Sequence, residues 1–118
     1  MQNISSYEPG NHANPVKKLL LDAEKNNWKI NLSQHAVIRA KQRQINEKDI
    51  WENIKNPKNL YYVKKSLFAR KNEARYQCYF KKSGQQCHIY GLIFNFVQKF
   101  IKIATVIKSR PKLQKVLK

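Results

Sequence analysis

His35, Arg39 and Arg43 stand four residues apart within the stretch LSQHAVIRAKQRQ, which begins at Leu32. At 100° per residue, a helix places Gln42, His35, Arg39 and Arg43, in that order, inside an arc of about 100°. Such a face joins an imidazole, which titrates near neutral pH and passes protons, to two guanidinium forks. Those forks bind phosphate oxygens and offset charge that grows in a transition state. A solvated basic stripe has the same pattern, and spacing alone does not separate the two. Just beyond lie Glu47, Asp49 and Glu52, three of the seven acids in the chain.

The elements that must position these residues carry start and stop signals. Ser33 occupies an N-cap position for a helix reaching about residue 44. Asn46 can cap a second helix over 47–55, with Asp49 placed as in a capping box and Asn56-Pro57 as the stop. Glu47 and Asp49 then sit in a first turn, where the helix dipole favours negative charge. Upstream, Pro15 at a first helical position leads Val16, Leu19, Leu20 and Ala23 to about Lys25, and Asn26-Asn27 ends that helix. Residues 28–32 alternate briefly between apolar and polar.

After Pro57 the texture turns aromatic and β-branched. Segments 60–65, 75–82, 87–96 and 100–108 read as strands, with Ser83-Gly84 as a hairpin turn. Between Ile89 and Ser109 the apolar residues also recur at helical spacing, but the dominance of Ile, Val, Phe, Tyr and Thr favours two strands. The expected fold is α+β, with N-terminal helices packed on a four-stranded antiparallel or mixed sheet. A length of 118 residues suits one domain. Residues 15–109 are assigned to it, between a flexible tail (1–14) and a basic arm (110–118).

Charge narrows the partners. The net charge is +17. Residues 1–55 carry nine Lys/Arg against six acids, whereas residues 56–118 carry fifteen against Glu73 alone. Such a field draws polyanions, an acidic membrane surface or an acidic protein that masks it; solubility alone does not require an acid-poor half. Membrane spanning is not expected, because Asn95, Gln98, Lys99 and Lys102 interrupt the longest apolar run. Met1 to Pro15 is polar and reads as a tail or linker rather than a signal peptide. Cys78 and Cys87 lack the close pairing of structural zinc sites, so core thiols are expected, with no metal or cofactor.

The run His35-Ala36, Arg39, Arg43, Ile45, Glu47, Asp49-Ile50, Ile54 and Asn56-Pro57 resembles the opening signature HAxxRxxxRxI…I…NP of a family of small bacterial proteins. That family is grouped with the barnase, EndoU, colicin and RelE-like ribonuclease toxins. The likeness extends to CHIYGLIFNF and to a last strand IKIATVIKS, whose Thr105 matches a recurrent threonine, and it covers about residues 32–109. Gln44 departs from the pattern, standing where a glycine is usual. The resemblance implies helices packed on an antiparallel sheet whose concave face holds RNA.

On this reading the chain is a metal-independent endoribonuclease toxin acting on RNA, such as tRNA or mRNA. The 2′-hydroxyl is the nucleophile, a base takes its proton, an acid protonates the leaving oxygen and cations hold the phosphate. Metal-dependent cleavage needs clustered carboxylates, and only one acid lies beyond Lys55. His35 is assigned proton transfer, Arg39 and Arg43 phosphate binding, and Thr105 a hydroxyl near the phosphate. Lys81, Lys82, Lys108, Lys112 and Lys115 are expected to bind RNA, together with Tyr62, Tyr90 and His88. Tyr61, Tyr76 and Tyr79 are also placed for base stacking. An acidic cognate immunity or antitoxin protein is the expected partner, and the cytoplasm the site of action, reached as the C-terminal part of a secreted toxin.

Two rivals remain. A helix-turn-helix DNA binder fits the two adjacent helices, but its recognition helix, EKDIWENIK, holds three acids against two lysines and would meet phosphates with net negative charge. A non-catalytic nucleic-acid-binding module accounts for everything except the His-Arg face.

Overall fold

A computed structural model of the chain describes residues 13–82 and 86–109. The elements run α1 (Asn14–Lys25), β1 (Lys29–Leu32), α2 (Gln34–Gln42), α3 (Glu47–Lys55), a 3₁₀ turn (Pro57–Asn59), then β2 (Leu60–Lys65), β3 (Glu73–Lys81), β4 (Cys87–Asn95) and β5 (Phe100–Ser109). The fold is α+β, as expected, but the sheet has five strands rather than four, in the order β1-β5-β4-β3-β2. The added strand, β1, is the short alternating segment after α1. It runs parallel to β5, from Lys29 opposite Phe100 to Leu32 opposite Ile103, whereas the other neighbours are antiparallel.

The helix ends follow from side chains and backbone. Ser33 Oγ accepts from the Ala36 N–H at 3.0 Å, and Asn46 Oδ1 accepts from Lys48 N–H at 2.9 Å. Each supplies a partner that the first turn lacks. Helices α1 and α2 close alike: Trp28 N–H donates to Ala23 O and Ile45 N–H to Ala40 O, with Asn27 and Gln44 at positive φ. This is the Schellman ending, whose left-handed residue favours glycine. The geometry explains why a glycine would suit position 44, where glutamine at φ 57° carries a penalty of about 1 kcal/mol.

All three helices contribute to one core. Val16, Leu20 and Ala23 of α1, Ala36 and Ala40 of α2, and Ile50 and Ile54 of α3 are buried with Phe80, Tyr90, Leu92, Phe94, Ile101, Ile103 and Val106 of the sheet. The other face carries a smaller cluster, Tyr79, Cys87 and Ile89, with Tyr62 and Ile107 against it. A bulge opposite Gly91 and Leu92 places Ala104 outside the pairing, so that Ile103 and Val106, three residues apart, both face the helices. Cys78 and Cys87 are free and buried, one in each cluster; burial pushes the Cys78 thiol up.

Of the expected tail only Ala13 and Asn14 are described, and Asn14 already begins α1. The basic arm and the Ser83-Gly84 turn lie outside the described residues. No helix among the described residues is long and apolar enough to cross a membrane.

Candidate functional site

Helix α2 is seated against β5 by residues at its two ends. Ser33 Oγ, while capping the helix, donates to Ala104 O at 3.0 Å, and Arg43 Nη1 donates to Val106 O at 3.5 Å. These two carbonyls flank Thr105, so both ends of α2 are tied to the residues on either side of the threonine. Close approach is possible because the helix presents Ala36 and Ala40, both wholly buried, toward the core.

The His-Arg arc therefore runs from solvent to strand. His35 is exposed, Arg39 is half-buried and bonded through Nη1 to Gln42 Oε1 at 3.2 Å, and Arg43 reaches β5. His35 makes no hydrogen bond among the described residues. Its imidazole is open to a ligand rather than committed to the fold.

On the face away from the helices, Thr105 lies opposite Gly91. A Cβ at Gly91 would sit 2.6 Å from Thr105 Cγ2, closer than any carbon pair tolerates, so the glycine is what makes room for the threonine. A cavity of about 160 Å³ opens here, lined by Ser66, Arg75, Gly91 and Thr105 among others. Arg75 escaped the sequence reading. Its Nε and Nη2 both donate to Glu73 Oε1 at 3.3 Å, which leaves Nη1 to point elsewhere. Alternation along β3 was its only available signal.

A second histidine has the opposite setting. His88 and Tyr90 were expected to bind RNA, but both are buried on the helix-covered face, at 2% and 0% exposure, and this corrects that reading. Asn53 Nδ2 donates to Tyr90 Oη at 3.0 Å, and Tyr90 Oη lies 3.1 Å from His88 Nδ1. If the phenol, accepting from Asn53, sends its own proton to Nδ1, the neutral imidazole carries its proton on Nε2. Burial, reinforced by the Lys82 charge, lowers the His88 pKa, while burial raises that of Tyr90.

The remaining expectations divide. Lys81 is exposed, as RNA binding requires, and Tyr62 is half-buried on the face away from the helices. Lys82 is exposed and paired with Asp49 at 2.7 Å, so Asp49 meets the residue after β3 as well as the start of α3. Lys108 lies opposite His88 and is half-buried. Lys112 and Lys115 fall outside the described residues. Of the tyrosines placed for stacking, Tyr76 packs on the main core and Tyr79 is buried in the smaller cluster, which leaves Tyr61 exposed at the sheet edge. Among the described residues no group of three or more His, Cys, Asp or Glu side chains is arranged to hold a metal ion.

Compared with models of known families, with curated proteins and with solved structures, the chain matches none.

Proposed function

We propose that this chain is a metal-independent endoribonuclease toxin, with its site where α2 meets β5. One observation carries the reading: Ser33 and Arg43 tie α2 to the carbonyls on either side of Thr105, which sets the helix of His35, Arg39 and Arg43 along the strand segment that also bears the threonine. In this mechanism the 2′-oxygen attacks the adjacent phosphorus and the bond from phosphorus to the 5′-oxygen breaks. The products are a 2′,3′-cyclic phosphate and a 5′-hydroxyl. His35 handles one of the two proton transfers and exchanges its proton with solvent, and water handles the other. Arg39 and Arg43 offset the charge on the pentacoordinate phosphate, and Thr105 donates to one of its oxygens.

The same positive field explains the partner and the setting. An acidic immunity or antitoxin protein covers Arg39 and Arg43 until the toxin acts in a target cytoplasm, where it arrives as the C-terminal part of a secreted protein. Association with that protein slows as salt rises.

The direct test is incubation of the full chain with total RNA in EDTA. Discrete fragments ending in cyclic phosphate are expected; cleavage that stops in EDTA and returns with magnesium contradicts the mechanism. The free, unoriented state of His35 favours one alternative, a non-catalytic nucleic-acid-binding module, because catalytic bases are usually held by a third group. That alternative predicts RNA binding with no fragments at all.

A further inference from the structure

Three cavities, of about 490, 430 and 440 Å³, meet at the 3₁₀ turn before β2. Asn59 lines all three; Glu52 and Asn53 join the first to the second, Lys81 joins the first to the third, and Lys58 joins the second to the third. They form one groove along the edge of the sheet opposite α2, three strand spacings from β5, on the order of 14 Å. We propose that this groove binds single-stranded RNA and holds the chain of nucleotides that runs on from the cleavage site. The proposal rests on the RNA reading above, but it concerns different residues.

The lining has the chemistry of a polynucleotide strand. Lysines are spread along its length, from Lys17 near Tyr61 to Lys48 near Trp51, and they meet phosphates. Asparagine amides at Asn53, Asn56 and Asn59 each offer a donor beside an acceptor, as the edge of a base does. Asn53 is 91% buried and its Nδ2 is engaged by Tyr90, but its Oδ1 has no partner among the described residues although the side chain lines two of the cavities. An acceptor that lines the groove in this way takes its donor from what fills it, water or a ligand.

The two acids of the groove decide between partners. Glu52 makes no ion pair among the described residues, and Asp49 is matched only by Lys82. An acidic protein would meet the unpaired Glu52 carboxylate with repulsion. The acids of α3 weigh against insertion of that helix into a duplex groove, but a single strand accommodates them, since its phosphates go to the lysines while exocyclic amino groups of its bases donate to the carboxylates. In RNA, base edges are open in this way in single strands, because side chains cannot read the deep, narrow major groove of its duplex. Tyr61, with Lys81 Nζ 5.6 Å from its ring centroid, supplies an aromatic surface at one end, and Trp51 supplies one at the other.

A 2′-O-methyl oligonucleotide lacks the attacking hydroxyl, so fluorescence anisotropy with the full chain reads binding apart from cleavage. Lys58→Gln with Lys81→Gln is expected to weaken binding of the single strand about tenfold and to flatten its salt dependence by roughly 1.4 log units per log unit, two contacts' worth. Lys18→Gln with Lys71→Gln makes the same charge change outside the groove and should leave both nearly unaltered. Asn59→Ala should weaken binding of the single strand but not of a duplex. Equal losses from the two lysine pairs would overturn the groove in favour of a diffuse field. Displacement by polyglutamate as effective as by polyuridylate, at equal charge, would assign it to an acidic protein and also overturn it. If the wild type cleaves RNA while the two pairs behave alike, the groove fails and the nuclease stands. If it cleaves nothing yet binds through Lys58 and Lys81, the reverse holds.

Discussion

His35 and His88 lie on opposite sides of one boundary, between side chains that the fold has used and side chains that it has left free. His88 is enclosed by β4 and α3, bonded to Tyr90, and through it to Asn53. It is 2% exposed, so it links helix to sheet and cannot reach a phosphate. His35 stands exposed on α2 with no bond to the described residues, one helical turn before Arg39. A buried imidazole with a lowered pKa is a common mark of a functional site, but here it marks a structural tie, and the exposed one carries the proposed chemistry. Perturbed titration identifies groups with strong neighbours; whether a ligand can reach them is a separate question.

Breaking the buried region should cost stability and spare chemistry. Tyr90→Phe removes the hydroxyl between two buried groups and leaves Asn53 Nδ2 and His88 Nδ1 without it, at about 1–3 kcal/mol each. Chemical denaturation should show the loss, while the rate on RNA, measured where the variant is folded, stays at the wild-type value. A rate that falls with the stability would erase the distinction between the two histidines.

Next in size is the notch between the two faces of the site. Gly91→Ala forces a methyl against Thr105 Cγ2 and should destabilise by about 1–3 kcal/mol while shifting the Thr105 hydroxyl. Adding Thr105→Ser removes the clashing methyl and keeps the hydroxyl, so the double variant should recover much of the stability. Melting temperatures of the four proteins in the cycle check this; failure of Thr105→Ser to rescue would place the strain elsewhere.

The smallest expected effect is on pH. The folded-state pKa of His88 is lowered below its ordinary value of about 6.5 by burial and then by Lys82, with Lys108 acting the same way and Asp49 opposing. The unfolded chain therefore binds a proton that the folded chain does not, and stability present above about pH 6.5 declines as pH falls below it. His88→Gln should flatten the melting temperature between pH 7.5 and 5.5. An unchanged slope would mean that another group governs it.

Much of this layout was legible in the sequence where causes are local. Asn46 and Ser33 do cap α3 and α2, and Pro57 and the two asparagines after Lys25 stop helices where expected. The arc of His35, Arg39 and Arg43 follows from helical spacing alone. Strand β1 left only a brief alternation over residues 28–32, too short to count as a strand, because four residues at an edge gain their pairing from a strand far along the chain. Nor was the side taken by each tyrosine and lysine of the sheet. Alternation assigns neighbours to opposite faces but not to a particular one, and the bulge at Ala104 resets it in β5. The pairing of Asp49 with Lys82 joins residues that only the folded chain brings together, so an acid expected to start a helix also meets a lysine expected to hold RNA.

The central claim is that the exposed histidine does chemistry. It is tested most directly by single-turnover cleavage of RNA by His35→Ala at saturating RNA in EDTA, beside Arg39→Gln. The account predicts a loss of at least about 10²-fold for His35→Ala, with melting temperature and RNA affinity unchanged, and a slower chemical step for Arg39→Gln. A cleavage rate equal to that of the wild type in His35→Ala would contradict it and return that residue to the solvated surface.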